Sequence, residues 1–277
     1  NINMKTIYYY QSFCGLDKIM THSHDLDNII LSAIHFGEDK GVKYIHLNNY
    51  DPDDIKFKSV WEELSKLYYD GVTITLMIGG AGGAYENLFK DFDNYYKLLK
   101  ETIKKHNIIT GVDLDIEESV DINNVKKLIN KLVSDFGEDF IITMAPVSSS
   151  LMTDGSSMGG FSYKDLYDSD EGNHIDWFNV QCYGSFNYET YSKIIENGYP
   201  ESKIVFGMLS GDDNFNDVLN EIKKVIKKYP KMLGVDVWEY INAPPNPNDP
   251  SEWAKKIRDL TEEINFAKRE SLGIWAP

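Results

Sequence analysis

Gly111-Val112-Asp113-Leu114-Asp115-Ile116-Glu117-Glu118 is the stretch on which the reading of this chain turns. Asp113, Asp115 and Glu117 alternate with Val112, Leu114 and Ile116. Side chains alternate across an extended strand, so this spacing puts three carboxyls on one face and three aliphatics on the other. Neighbours on one face stand about 7 Å apart. Three acids that close in a poorly solvated interior cannot all ionise, so at least one holds a proton near neutral pH. Two other settings fit the same pattern. One is an edge strand with a wet acidic face. The other is an oxygen cage for Mg²⁺ or Ca²⁺, which usually draws ligands from several strands.

The surrounding chain alternates short β-rich runs with amphipathic stretches. Strands are expected at residues 6–10, 28–35, 72–78, 111–117, 140–145, 175–183, 204–209 and 234–240, with a small extra strand at 44–48. Helices are expected at 60–69, 85–105, 123–136, 188–197, 216–228 and 251–263. Val125, Leu128, Ile129 and Leu132 fall on one helical face, as do Ile222, Val225 and Ile226. Ser59 with Glu62 reads as a capping box opening the 60–69 helix, and Ser251 after Pro250 as the start of the last one. Eight strands, each followed by a helix or long loop, predict an α/β fold: a (β/α)8 TIM barrel. The expected organisation is one catalytic domain over 1–277, with a peripheral tail at 266–277. In such a barrel the acidic strand is the fourth and central, its aliphatics pack on the helices and its carboxyls point inward.

The acidic run resembles the catalytic signature of glycoside hydrolase family 18, the chitinases and endo-β-N-acetylglucosaminidases. That signature reads Asp-Gly-apolar-Asp-apolar-Asp-apolar-Glu on the fourth barrel strand. Residues 110–117 fit seven of its eight positions, and Thr110 departs. Other strand ends are similar in the same order: Leu76-Met77-Ile78-Gly79-Gly80, Met144-Ala145-Pro146, Gln181-Cys182-Tyr183 and Gly234-Val235-Asp236-Val237-Trp238. The likeness covers nearly the whole chain. It is nearest to the compact plant-type (class III-like) branch, without the α+β insertion of larger members.

The resemblance implies a retaining endo-glycosidase that cleaves β-1,4 bonds at N-acetylglucosamine, a chitinase first. An endo-β-N-acetylglucosaminidase acting on the chitobiose core of N-glycans is the alternative, and a non-hydrolytic chitin-binding, lectin-like barrel is a rival of another class. Family 18 uses the substrate's own acetamido group as nucleophile. Carried over, Glu117 is the general acid and then the base. Asp115 holds the acetamido N–H and balances positive charge, and Asp113 shares a proton with Asp115. Tyr183 orients the acetamido carbonyl, and Trp238 forms the apolar floor under the sugar. Tyr9 contacts Asp113. Gln181 and Met144 are expected to line the pocket, and Gly79 and Gly80 to bring backbone close to the sugar. Two departures stand out: Met77 where the family has a Ser bonded to the first inward Asp, and Gly184 where it has Asp or Asn. Subsites are expected from Tyr85, Phe161, Tyr163, Phe186, Tyr188 and residues 243–248. No cofactor or metal is called for, and the expected state is a monomer acting on chitin, chitooligosaccharide or N-glycan.

Composition agrees with a neutral sugar partner. Lys and Arg number 28 against 44 Asp and Glu, a net charge of −16, which repels nucleic acid and anionic membranes. No dense Lys/Arg cluster offsets it. No apolar run reaches membrane-spanning length and no charged-then-apolar leader is visible, which leaves the compartment open between secreted and intracellular. Cys14 and Cys182 read as free thiols. The run Gly79-Gly80-Ala81-Gly82-Gly83-Ala84 lacks the Lys-Ser/Thr of a phosphate loop and reads as a tight strand-to-helix turn. His22 with His24 lacks a third metal ligand, His35 reads as a satisfied histidine at the end of strand two, and Ser148-Ser149-Ser150 lacks a triad.

Overall fold

Runs of β-branched and aromatic residues build the strands, and amphipathic segments cover them. The computed structural model describes residues 1–273. In chain order it places β1 (Lys5–Tyr10), α1 (Asp17–Met20), β2 (Asn28–Asp39), β3 (Val42–Leu47), α2 (Lys58–Tyr69), β4 (Thr73–Gly79), α3 (Tyr85–Lys90), α4 (Phe92–Lys105) and β5 (Ile109–Asp115). There follow α5 (Ile122–Phe136), β6 (Ile141–Met144), α6 (Tyr163–Asp168), β7 (Trp177–Gln181), α7 (Tyr188–Glu196), β8 (Ile204–Leu209), α8 (Phe215–Lys228), β9 (Gly234–Trp238) and α9 (Ser251–Ser271).

All strands but β3 pair in parallel, and β1 bonds both β2 and β9, which closes an eight-stranded (β/α)8 barrel. β3 lies antiparallel on the far half of β2, with Ile34 opposite Leu47 and Asp39 opposite Val42. β5 is bonded on both sides, by β4 and β6, so the edge-strand setting for the acids is excluded. Two apolar layers result. A small cluster including Ile7, Tyr9, Ile30, Met77 and Val205 fills the barrel, and a larger one packs between strands and helices. Each aliphatic side chain buried there contributes about 1.5–3 kcal/mol. Among the described residues no helix is long and apolar enough to cross a membrane.

Local chemistry explains where the elements depart from expectation. α2 does not start at the Ser59–Glu62 box. Asp54 accepts from the Lys56 N–H at 2.9 Å and caps a 3₁₀ turn, Ile55–Phe57, that runs straight into Lys58. The single helix expected over 85–105 breaks at Asp91, which leaves helical geometry (φ −143°, ψ 70°) while its carboxylate pairs with Lys43 at 2.9 Å. Side-chain caps from Asp121, Ser162, Asn187 and Asn214 start α5 to α8. α9 runs past the expected residue 263 to Ser271, and Asn265 bonds both backbone groups of Ile2. Its residues from 266 onward face mostly solvent, and 274–277 of the expected tail lie outside the described residues.

Candidate active site

β5 carries the acids to the C-terminal mouth of the barrel. Its pairing ends at Asp115, beside Gly79 of β4, so Glu117 stands just beyond the strand and half-buried. Asp113 is fully buried and faces Met77 on one side and Thr143 on the other. It accepts three hydrogen bonds: from the Tyr9 hydroxyl at 2.6 Å, the Thr143 hydroxyl at 2.7 Å and the Asn179 amide at 3.1 Å. Burial pushes its pKa above the usual carboxylate range, and the three donors pull back against that. The partner that Met77 cannot supply is thus replaced from β6 and β7.

Asp115 has no such set of donors. Burial first, then the charges of Glu117 and Asp113 and a hydrogen bond shared with Glu117, hold its pKa well above the ordinary range. Both neighbouring acids, Glu117 and Asp113, thus push Asp115 toward its protonated form. Gln181 spans Asp115 and Glu117. Its Nε2 donates to the Ala145 carbonyl at 2.7 Å and lies 3.3 Å from Asp115 Oδ1 and 3.4 Å from Glu117 Oε1.

Gly79 and Gly80 bring backbone against Asp115 in positive-φ geometry, +102° and +90°. The Gly80 N–H donates to the Asp115 carbonyl at 2.9 Å, and a Cβ on Gly79 would stand 2.3 Å from that carbonyl and 2.7 Å from the Tyr85 ring. Gly79→Ala is therefore expected to lose about 2–4 kcal/mol of stability by this clash and by strain. Equilibrium denaturation measures it, and a loss under about 0.5 kcal/mol would contradict the geometry. The glycine run beyond is a turn, closed by Glu118. Its carboxylate accepts the N–H groups of Ala84 at 2.6 Å, Tyr85 at 2.7 Å and Glu86 at 3.2 Å, where α3 begins.

Tyr183 lies just past β7 and Trp238 at the end of β9, both half-buried. Burial and the charges of Asp236, Asp115 and Asp113 keep the Tyr183 phenol protonated, hence a donor. The Trp238 ring sits 5.2 Å from that of Tyr9, which itself reaches Asp113. Tyr9, Asp113, Asp115, Glu117, Gln181, Gly79 and Gly80 are thus in one contact set around the mouth.

Met144 is not in it. It pairs with Leu114 and Phe178, whose side chains lie outside the barrel, and packs in the strand–helix layer. Parallel partners share a face, so the inward positions of β6 are Thr143 and Ala145. Four of the expected aromatic subsites also fail, while Tyr188 is half-buried. Tyr85 and Tyr163 are wholly buried and Phe161 nearly so; Phe186 stacks on Phe206 with centroids 3.6 Å apart. On the side of Glu118 and the glycine turn there is a polar cleft of about 910 Å³, lined by Gln11, His35, His46, Asn48, Asn49 and Glu86 among others. His35 lines it and bonds the Gly83 carbonyl at 2.6 Å. Thr143, Asn179 and Asp236 are not among the residues expected from the sequence, although Asn179 shares inward parity with Gln181 and Asp236 with Trp238. Among the described residues no group of three or more His, Cys, Asp or Glu is arranged to hold a metal ion.

The family model "Glycosyl hydrolases family 18" matches residues 5–208. A fungal endo-β-N-acetylglucosaminidase of that family shares 30% identity, with 92% of this chain and 97% of that one covered and a TM-score of 0.83. The Aspergillus fumigatus chitinase ChiC shares 29% over 92% and 99%, with a TM-score of 0.81. A Pseudoalteromonas aurantia chitinase at 21% identity and a TM-score of 0.75 shares the fold. One curated relative of another kind, a tRNA dimethylallyltransferase of Lachnoclostridium phytofermentans, is 27% identical over 129 residues, 40% of each chain. The chain thus spans well under half the length of that relative, and its net charge of −16 is a poor match for a tRNA.

Proposed function

The chain belongs to the family 18 glycosyl hydrolases, and from that premise we propose that it is a retaining endo-glycosidase cleaving β-1,4 bonds at N-acetylglucosamine by substrate assistance. The observation that carries the proposal is the Asp115–Glu117 pair, two acids in hydrogen-bond contact at the barrel mouth, with Asp115 buried. Glu117 gives a proton to the leaving oxygen as the bond to C1 breaks. The acetamido carbonyl oxygen attacks C1 from the opposite face and closes an oxazolinium ring. Asp115 accepts the acetamido N–H and balances the positive charge. Tyr183 donates to the carbonyl oxygen and aims it, and Trp238 supports the pyranose. Glu117 then takes a proton from water, which attacks C1 and opens the ring, so two inversions give retention. Asp113, held by Tyr9, Thr143 and Asn179, keeps the neighbouring acids in place. The whole chain acts as one catalytic unit, a monomer.

Chitin is the first substrate reading, and the chitobiose core of N-glycans the second. The polar cleft favours the second. A linear chitin chain gains most from exposed aromatic faces, and four of the expected platforms are buried here. A cleft of amide and imidazole groups suits the many hydroxyls of a branched glycan. Product analysis on chitohexaose and on a high-mannose glycopeptide separates the readings. The newly formed reducing end is expected as the β-anomer by ¹H NMR within the first minutes. An initial α-anomer would refute substrate assistance, and binding without turnover would favour the lectin-like barrel.

A further inference from the structure

Asp236 belongs to no role described so far. It lies on the inward face of β9, two residues before Trp238, and is 1% exposed. Its Oδ2 has no hydrogen-bond partner, rare for a buried carboxyl. The neighbouring strand makes room for it. Gly207 of β8 is its register partner, and a Cβ there would stand 2.8 and 2.9 Å from the two carboxyl oxygens. Gly207 in turn pairs with Gln181 of β7, and Tyr183 follows two residues later. Beside Tyr183, Gly184 offers no polar side chain.

We propose that Asp236 is a positioning residue for hydrolysis, its carboxyl group orienting the Tyr183 phenol toward the substrate's acetamido carbonyl. The inference rests on the substrate-assisted reading above. The titratable groups around Asp236 are Tyr9 from β1, Asp113 from β5, and Cys182 and Tyr183 from the end of β7. None carries a positive charge. Burial and the charge of Asp113 therefore push Asp236 toward its protonated form. A neutral carboxyl has one O–H to donate. Given to the phenolic oxygen, that hydrogen bond leaves the phenol's own O–H free for the acetamido carbonyl and strengthens it as a donor. The bond forms as substrate settles against Tyr183, as catalytic hydrogen bonds often tighten only in the complex.

Two variants and one spectroscopic measurement test this. Asp236→Asn keeps a donor in the same place, and Asp236→Leu removes it at similar size. Asp236→Leu is expected to lower kcat about 10-fold or more, with KM within about threefold. Asp236→Asn is expected to stay within about threefold of the parent. In a Tyr183→Phe background, Asp236→Leu is expected to add no further loss, because the two act as a unit. Full kcat in Asp236→Leu, or an equal loss in Asp236→Asn, would overturn the proposal. The ¹³Cζ resonance of Tyr183, assigned by Tyr183→Phe and read with a GlcNAc-oxazoline-type inhibitor bound, is expected to move in Asp236→Leu and hold in Asp236→Asn. An unmoved resonance in both overturns the contact. If the parent enzyme hydrolyses neither substrate, the functional reading fails while this resonance still judges the contact. If Asp236→Leu does not fold, Asp236→Asn and Asp236→Ala give the same comparison.

Discussion

Glu117→Gln is expected to lower kcat about 10³-fold or more, with substrate binding within a few-fold of the parent. A positioned acid or base contributes about 10²–10⁴-fold, and Glu117 serves both half-reactions. The amide matches the carboxyl in size and still meets Gln181, so the pocket keeps its shape. It cannot deliver a proton to the leaving oxygen. Two measurements check this. Isothermal titration with chitotetraose is expected to show retained affinity, and the loss in rate is expected to shrink for an aryl glycoside whose leaving group needs little protonation. Turnover within about tenfold of the parent would remove Glu117 from the role. The parent rate should also fall toward high pH, because the step consumes a proton. A rate still rising above about pH 9 would contradict an acid-dependent mechanism.

The acids were legible because a strand's period of two turns Asp-x-Asp-x-Glu into a single face, and because the barrel was countable from eight β-rich runs. That arithmetic weakens at strand ends. Glu117 lies past the last paired residue, Asp115, so its contact with Asp115 is a property of the rim and not of the strand. Parity also has to be anchored. β6 is only four residues long, and taking Met144 as inward placed it one residue out of register. Thr143, the residue actually facing Asp113, was passed over for that reason. Aromatic residues were misassigned as platforms because composition does not tell a stacking surface from core: Tyr85 spends its hydroxyl on the Ile78 carbonyl. The cleft was invisible because it joins Gln11, Asn48 and Gly83, residues far apart in the chain that only the β2–β3 extension and the glycine turn bring together.

Asp115→Asn is expected to lower kcat about 10²–10³-fold, the usual effect of removing one group aimed at developing transition-state charge. The same variant is expected to be more stable than the parent at pH 8. Burial and the neighbouring acids raise the Asp115 pKa in the folded chain well above its unfolded value. Between those two values the folded state binds the extra proton, so stability falls as pH rises through the window. Below the unfolded value both states are protonated and nothing is lost. Asparagine has no proton to hold, so its advantage is expected at pH 8 and should fade by pH 4. Each kcal/mol recovered moves the melting temperature by about 2–4 °C in a chain of this size. Melting curves at the two pH values, beside rates at saturating substrate, separate three cases. A gain in stability at high pH with a loss of rate is the signature of an acid held against its own solvation for chemistry. Equal stability at both pH values would mean that Asp115 is ionised and solvated like a surface carboxylate. Lower stability at both would make it a structural residue whose loss of rate follows from a damaged barrel. Only the first case is consistent with a buried acid pressed by two neighbouring acids at the mouth of a closed sheet.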